Sequence, residues 1–327
     1  LTVGSIRLRP TARKSGTVTP FQAAATALGS TVGTGNIVGV SQAIAMGGPG
    51  ALFWLWAAAL IGMIVKYAEV ALAIYYRRGS IGSGPMDYIT HGLGRPHLAR
   101  VYGVLVTLSA FCMGNLVQVS SIADSFVRAV DACTVGPMPN PAALRFALGL
   151  VLAAVTALLL SGGAGRVGTA AEAMVPLMSL LFIAASMAVV AVNHSRIAGV
   201  MSTVFIEAFR PGAITGGICG VTTAQCIQWG LRRSAFSNEA GLGTAAIAHA
   251  AADTDDPAAH GMWGIFEVFA DTIVICTCTA LAILCSGVNI PWGSVTGTEV
   301  YQSALASVFG ARTSAVFMAV TICLFAY

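Results

Sequence analysis

The sequence predicts an all-α integral membrane protein, and its composition and hydropathy carry that prediction. Of 327 residues, 56% are hydrophobic and only 9% are charged, whereas soluble domains carry about a quarter charged residues. The mean hydropathy is +0.81, and the apolar residues fall in runs long enough to cross a bilayer as helices. We therefore expect a multi-pass protein of the cell membrane, surrounded by lipid.

Apolar runs bounded by Gly, Pro, Arg or acidic residues are the predicted helices. They cover residues 20–46, 51–75, 101–130, 143–161, 170–192, 212–231, 261–286 and a run from about 312. The last run is short for a bilayer about 30 Å thick. We therefore expect one transmembrane domain over 1–327, with about eight core helices and a C-terminal truncation. Apolar residues at helical spacing in "SRIAGVMSTVFIEAFRPG" predict an interfacial helix between the fifth and sixth runs.

The basic residues predict an orientation, because cytoplasmic loops retain positive charge. With the N-terminal "RLRPTARK" placed in the cytoplasm, most arginines fall on that side. The arginines expected there are Arg77, Arg78, Arg95, Arg100, Arg166, Arg232 and Arg233.

The first run contains "STVGTGNIVG", residues 30–39, which is rich in Gly, Thr and Asn. Interior glycines cost a helix about 1 kcal/mol each relative to Ala, and Thr and Asn side chains compete for backbone hydrogen bonds. The run should therefore unwind locally. Inside a membrane this is tolerated only where the freed backbone faces protein or a water-filled cavity. A seam of small residues for helix packing is the alternative.

A second glycine-rich run, "AITGGICGVTTAQCIQWG" at residues 213–230, repeats this chemistry. Two such interruptions in corresponding segments indicate the midplane site of a transporter. Half-helix N-termini suit a carboxylate, and unwound carbonyls suit an ammonium group or Na⁺.

Three stretches carry a family resemblance: "TPFQAAATALGSTVGTGNIVGVSQAIAMGGPGALFWLW", "KYAEVALAIYYR" and "WGLRRSAFSNEAGLGTAAIAHAAA". They resemble the sodium:alanine (or glycine) symporter family over nearly the whole chain. The resemblance implies a LeuT-like bundle of two inverted five-helix repeats, here 20–193 and an incomplete 212–327. It also implies Na⁺-coupled import of small neutral amino acids, with Na⁺ as the co-transported ion and no cofactor.

The resemblance also implies site residues. The carbonyls of Gly29 and Val32 are the expected Na⁺ ligands, with Thr31 and Asn36 as further candidates. The expected substrate contacts are Thr31, Gly33, Thr34, Gly35, Asn36, Gln118, Gly217, Gly220, Val221 and Thr222.

Other polar residues on predicted helices have two interpretations each. Gln118 lies three residues after Asn115 on one helix face, and a plain interhelical hydrogen bond is its alternative. Carboxylates inside a membrane indicate an ion path or gate, so Asp271 is a candidate for coupling. In "SNEAGLG", residues 237–243, Glu239 is either a gating residue or a group that stabilises the next helix start.

Several functions are disfavoured. The chain has no clustered basic face for nucleic acid, and no nucleophile and base arrangement for an enzyme. His249, Asp253, Asp255, Asp256 and His260 lack metal-site spacing, and we expect them in a solvated loop. Proton coupling, another small-amino-acid transporter, and a channel-like helical bundle remain open as alternatives.

Overall fold

The computed structural model describes residues 17–79, 82–111, 116–134, 140–210 and 222–325. These residues form helices joined by loops, and their only β-type pairing is an isolated bridge between Val18 and Ala252. The all-α class is confirmed for this part of the chain.

The first half of the chain begins with an interrupted helix. Its elements are α1 (Pro20–Thr31), a π-helical turn (Gly35–Gly39), α2 (Val40–Gly47), α3 (Ala51–Tyr75), α4 (Pro85–Asp87), a second π-helical turn (Tyr88–Gly92), α5 (Pro96–Ser109), α6 (Val117–Cys133), α7 (Pro141–Leu160) and α8 (Gly163–Val192). The second half follows a short 3-10 turn at His194–Arg196. Its elements are α9 (Ile197–Phe209), α10 (Thr223–Asn238), α11 (Thr244–His249), α12 (Pro257–Val268), a third π-helical turn (Phe269–Cys276), α13 (Thr277–Ser286), α14 (Glu299–Phe309) and α15 (Ala311–Phe325).

Four helices of the described residues are long and apolar enough to cross a membrane. They are α3, α7, α8 and the continuous helix from α12 through α13. The first helix is divided by its interruption, so neither half has the length to span alone. The predicted run at 101–130 consists of α5 and α6, and residues 112–115 lie outside the described part. Helix α9 confirms the helix predicted between the fifth and sixth runs, whereas α14 was not predicted.

The two halves of the first helix pack against the segment 223–252 in antiparallel order. Gly47 lies against Trp229, Gly39 against Arg233, and Gly35 against Phe236. Towards the start of α1, Val18 and Ala23 cluster with residues 251 and 252. The segment 223–252 thus runs back along 18–47 from the end of α2 to the start of α1.

This packing corrects the predicted placement of one pair of arginines. Arg233 hydrogen-bonds the side chain of Gln42, and Gln42 in turn donates to the carbonyl oxygen of Thr296 at 2.8 Å. These contacts lie at the end of the bundle where α2 finishes. Arg232 and Arg233 are therefore on the side opposite the start of α1, because their helix runs antiparallel to α2.

The remaining helices enclose this pair. Helix α8 packs along α1, where Val175 faces Gly29, and α3 packs against both α10 and α12. The main hydrophobic core lies between α2, α8, α13, α14 and α15. At its centre, Phe182 stacks on Tyr301, with ring centroids 5.2 Å apart.

Candidate functional site

The first interruption is held open by the side chain of Asn36. The N–H of Gly33, which an α-helix would direct to the carbonyl of Gly29, instead donates to Oδ1 of Asn36 at 2.8 Å. The N–H of Asn36 donates to the Gly33 carbonyl at 3.1 Å rather than to Val32. The carbonyls of Gly29 and Val32 therefore lose their usual helical donors. The predicted unwinding is confirmed.

A second interruption, within the segment 223–252, faces the first; Gly217 and Gly220 of the predicted break lie outside the described residues. Helix α10 ends at Glu239, whose φ of 53° is left-handed, and α11 starts only at Thr244. Gly241 and Gly243 also have positive φ values, 96° and 77°, which glycine adopts readily. The break in this segment is therefore at 239–243.

The two interruptions share a cavity of about 490 Å³. The first interruption contributes Gly29, Thr31, Thr34 and Gly35, and the second contributes Phe236, Glu239, Leu242 and Thr244. Helices α5, α6, α7, α8 and α15 supply the rest of the wall, which is largely apolar. A concave, mostly apolar pocket with a few convergent polar groups is the usual form of a small-molecule site.

The structure brings most of the predicted site residues of the first interruption together. Thr31, Thr34 and Gly35 line the cavity, and so does Gln118, which accepts a hydrogen bond from the Thr34 hydroxyl at 3.0 Å. Gly33 lies against the Gln118 side chain.

Of the residues predicted from the second glycine-rich run, only Thr222 lies in the described part of the chain, and it does not line the cavity. Thr222 is exposed and caps the N-terminus of α10 by accepting from the N–H of Gln225. Sixteen residues of helix, roughly 24 Å at 1.5 Å per residue, separate it from Glu239. Thr222 is therefore not brought to the cavity. Gly217, Gly220 and Val221 lie outside the described residues, as does Asn115.

Behind the first interruption lies a wholly buried polar cluster around Asp271. Its carboxylate accepts hydrogen bonds from Asn36 Nδ2 at 2.7 Å, Ser237 Oγ at 2.7 Å and Thr272 Oγ1 at 2.8 Å. Cys276 Sγ lies 3.3 Å from Asn36 Nδ2. None of the salt bridges found in the described part of the chain involves Asp271. Asn36 and Asp271 are both fully shielded from solvent.

A second buried cluster continues from Asp271 towards the start of α1. Lys66 donates to the carbonyl of Asn238 at 2.6 Å and pairs with Glu267, N to O 3.6 Å. Glu267 contacts His249 Nε2 at 2.5 Å, and His249 Nδ1 lies 2.9 Å from His260 Nε2.

These contacts correct the prediction for the two histidines. His249 and His260 are buried, not part of a solvated loop. The two histidines contact each other, 11 residues apart, and His249 contacts Glu267, 18 residues further along the chain. The polar composition of residues 248–261 does not indicate this burial. No group of three or more His, Cys, Asp or Glu side chains suited to a metal ion occurs among the described residues.

Two interrupted, antiparallel helices that meet at a cavity among long apolar helices are typical of secondary transporters. The chain belongs to the sodium:alanine symporter family, whose model matches residues 3–327. Because this is a family of transporters, the prediction that the chain is not an enzyme is confirmed.

Several relatives show strong similarity. The chain is 40% identical over 295 residues to the uncharacterized transporter YflA of Bacillus subtilis, covering 88% of this chain and 59% of that protein. It is 40% identical to the sodium/alanine symporter AgcS of Methanococcus maripaludis, covering 84% and 59%. It is 35% identical to the probable sodium/glutamine symporter GlnT of B. subtilis, covering 96% and 63%. The chain thus spans about three fifths of the length of these relatives.

Proposed function

We propose that this chain forms the substrate-binding and ion-binding part of a sodium-coupled symporter that imports small neutral amino acids such as alanine and glycine. The observation that carries the proposal is the meeting of two interrupted helices at one cavity. Transport by alternating access around this cavity is part of the proposal.

The antiparallel pairing of 18–47 with 223–252 supports a LeuT-like arrangement. Two repeats of inverted topology would place their first helices side by side in opposite directions. This is the relation of α1 and α2 to α10 and α11. We therefore propose an inverted-repeat bundle, with 20–193 as the first repeat and 212–327 as part of the second.

The proposed cation site lies at the first interruption. Gly29 and Val32 offer carbonyls whose helical donors are diverted, and unwound carbonyls of this kind coordinate Na⁺ in transporters. Asp271 supplies negative charge close behind, through Asn36. Asp271 takes part in none of the salt bridges found among the described residues. A buried carboxylate without such a bond is costly, and a bound Na⁺ would lower that cost. Asp271 is therefore the proposed coupling residue.

The proposed substrate site uses the opposite end of the same interruption. The first N–H groups of the half-helix that starts at Thr34 lack intrahelical partners and carry the positive end of the helix dipole. Thr34 and Gly35 line the cavity, so we assign their amides to the substrate carboxylate. The apolar wall formed with Met174, Val175 and Met178 suits an uncharged side chain.

Uptake into proteoliposomes tests the proposal. The full-length transporter that contains these 327 residues is purified and reconstituted, and entry of radiolabelled alanine and glycine is measured with an inward Na⁺ gradient, with K⁺ replacing Na⁺, and with a proton gradient alone. We expect concentrative uptake only with the Na⁺ gradient.

Two results would contradict parts of this proposal. Uptake driven equally by a proton gradient without Na⁺ would overturn sodium coupling. Uptake of neither amino acid under any gradient would overturn the substrate assignment.

A further inference from the structure

Glu239 is the only charged residue among the described residues that line the cavity. The rest of the wall is apolar or carries hydroxyl and amide groups. The charge of any ligand bound there is therefore matched or opposed by one carboxylate. Glu239 is half-buried, and a carboxylate partly withdrawn from water favours a cationic partner, because removing an unpaired charge from water is expensive.

The backbone at Glu239 has an unusual conformation for its residue type. It is the only non-glycine residue with positive φ in the described chain, at a position where glycine is normally favoured. Its N–H donates to Ala235 and its carbonyl accepts from Leu242, at 3.1 Å each. Residues held in such conformations cluster at ligand sites. The side chain at this position is therefore a candidate for a role beyond ending α10.

The hydrogen bonds of Glu239 leave capacity for a ligand. Among described residues only Thr244 donates to the carboxylate, Oγ1 to Oε2 at 2.5 Å. None of the salt bridges in that part of the chain involves Glu239. Thr31, which lines the same cavity, uses its hydroxyl proton on the carbonyls of Ala27 and Leu28. Its oxygen lone pairs remain available.

We propose that Glu239 binds the ammonium group of the substrate amino acid, with the Thr31 and Thr244 hydroxyls as further acceptors. An ammonium group has three donors and no acceptor, and a hydrogen bond between charged groups is about twice as strong as a neutral one. The substrate would then lie across the cavity, its carboxylate at Thr34 and Gly35 and its ammonium at the second interruption. This inference rests on the proposed function and adds to it a requirement for a charged amino group.

Binding of alanine and of lactate, which replaces the ammonium by a hydroxyl, tests this assignment. Both are titrated calorimetrically into purified protein at saturating Na⁺. We expect wild type to prefer alanine by at least tenfold, and Glu239→Gln to weaken alanine at least tenfold while leaving lactate little changed. The second variant is Glu239→Gly, because glycine tolerates the left-handed backbone at this position. We expect this variant to lose alanine binding while its unfolding temperature stays at the wild-type value. Glu172→Gln is the matched control: that carboxylate also accepts one side-chain hydrogen bond, from Gln22 at 2.8 Å, but does not line the cavity.

The possible results separate this inference from the proposed function. Unchanged alanine affinity in both Glu239 variants, or equal affinity of wild type for alanine and lactate, overturns the assignment of Glu239 and leaves the symporter proposal intact. A fall in Na⁺ affinity with unchanged alanine preference identifies Glu239 as a cation ligand and also overturns it. Absence of alanine binding by wild type overturns both.

Discussion

The side-chain amide of Asn36 lies 2.7 Å from the carboxylate of Asp271, and both residues are fully buried. The same amide accepts the Gly33 N–H that an unbroken helix would use internally. One side chain therefore connects the opened backbone of the first helix to a buried negative charge. For the proposed cation and substrate sites, this connection would be the physical route by which the two ligands influence each other.

Asp271→Asn should weaken sodium binding. The amide preserves the shape of the side chain but removes the charge, so the Na⁺ concentration for half-maximal stimulation of alanine binding should rise at least tenfold, about 1.4 kcal/mol. Equilibrium binding of labelled alanine over a Na⁺ series measures this. Glu299→Gln, which removes a carboxylate 59% exposed to solvent, should leave the midpoint unchanged. An unaltered midpoint in Asp271→Asn would exclude the carboxylate from the cation site.

Asn36→Ala should abolish alanine binding and lower stability by about 1–3 kcal/mol, because it leaves the Gly33 N–H and one Asp271 oxygen without their partner. Asn140→Ala is the comparison. Asn140 accepts from the Ala143 N–H at 3.1 Å as the exposed N-cap of α7, so its loss should cost about 1 kcal/mol and leave binding intact. Chemical unfolding in detergent and alanine binding are measured on both variants. Retained binding in Asn36→Ala would contradict the role assigned to its side chain.

The Lys66 and Glu267 pair should be a large determinant of stability. Removing one member of a buried pair typically costs about 3–5 kcal/mol, whereas replacing both by apolar residues costs much less. We expect Lys66→Met to destabilise strongly and the double variant Lys66→Met, Glu267→Met to recover part of the loss.

The exposed pair of Arg145 and Asp124, at 2.9 Å, is the control for that cycle. Asp124→Asn should cost at most about 1 kcal/mol. Thermal unfolding of the wild type and these three variants gives the comparison. A Lys66→Met variant no less stable than Asp124→Asn would show that the buried pair contributes little.

Two glycines in membrane helices should respond oppositely to alanine. A Cβ at Gly264 would lie 2.7 Å from the carbonyl oxygen of Lys66, so Gly264→Ala should force α12 away from α3 and cost about 1–3 kcal/mol. A Cβ at Gly149 would have nothing within 4 Å, and Gly149→Ala should be neutral or stabilising by up to about 1 kcal/mol. Unfolding midpoints measure both, and equal effects would contradict the close packing of α3 and α12.

Local chemistry in the sequence predicts the first interruption well. Glycines weaken a helix and an asparagine side chain competes for its backbone hydrogen bonds, and both effects act within a few residues of the chain. Local chemistry does not name Gly29 and Val32, which the family resemblance implies as cation ligands; the structure shows only that their carbonyls lose helical donors through Gly33 and Asn36.

The glycine content of 213–230 does not predict the interruption at 239–243, and the glycines of that run, Gly217 and Gly220 among them, lie outside the described residues. The pattern Thr222-x-x-Gln225 is a capping box, and the structure forms it, so it marks the start of α10. In sequence, the interruption from Glu239 to Gly243 resembles an ordinary polar loop. A glycine pair following a sixteen-residue helix was the available signal.

The buried clusters could not be predicted from sequence at all. Lys66 and Glu267, and Asn36 and Asp271, are separated by 201 and 235 residues. Only the packing of α3 and the first interruption against the helix from α12 to α13 brings them together. Even Glu69, three residues from Lys66 on the same helix, has a distant partner, because it accepts from the N–H of Gly243 at 3.1 Å.

The most direct test of the account is the affinity for alanine with and without sodium. If Na⁺ and substrate bind at the same interruption, each should tighten the other by the same factor. Calorimetric titration of purified protein should give an alanine Kd at least tenfold lower in saturating Na⁺ than in K⁺, and an equal gain in Na⁺ affinity when alanine is present. The same alanine Kd in both salts would contradict the account.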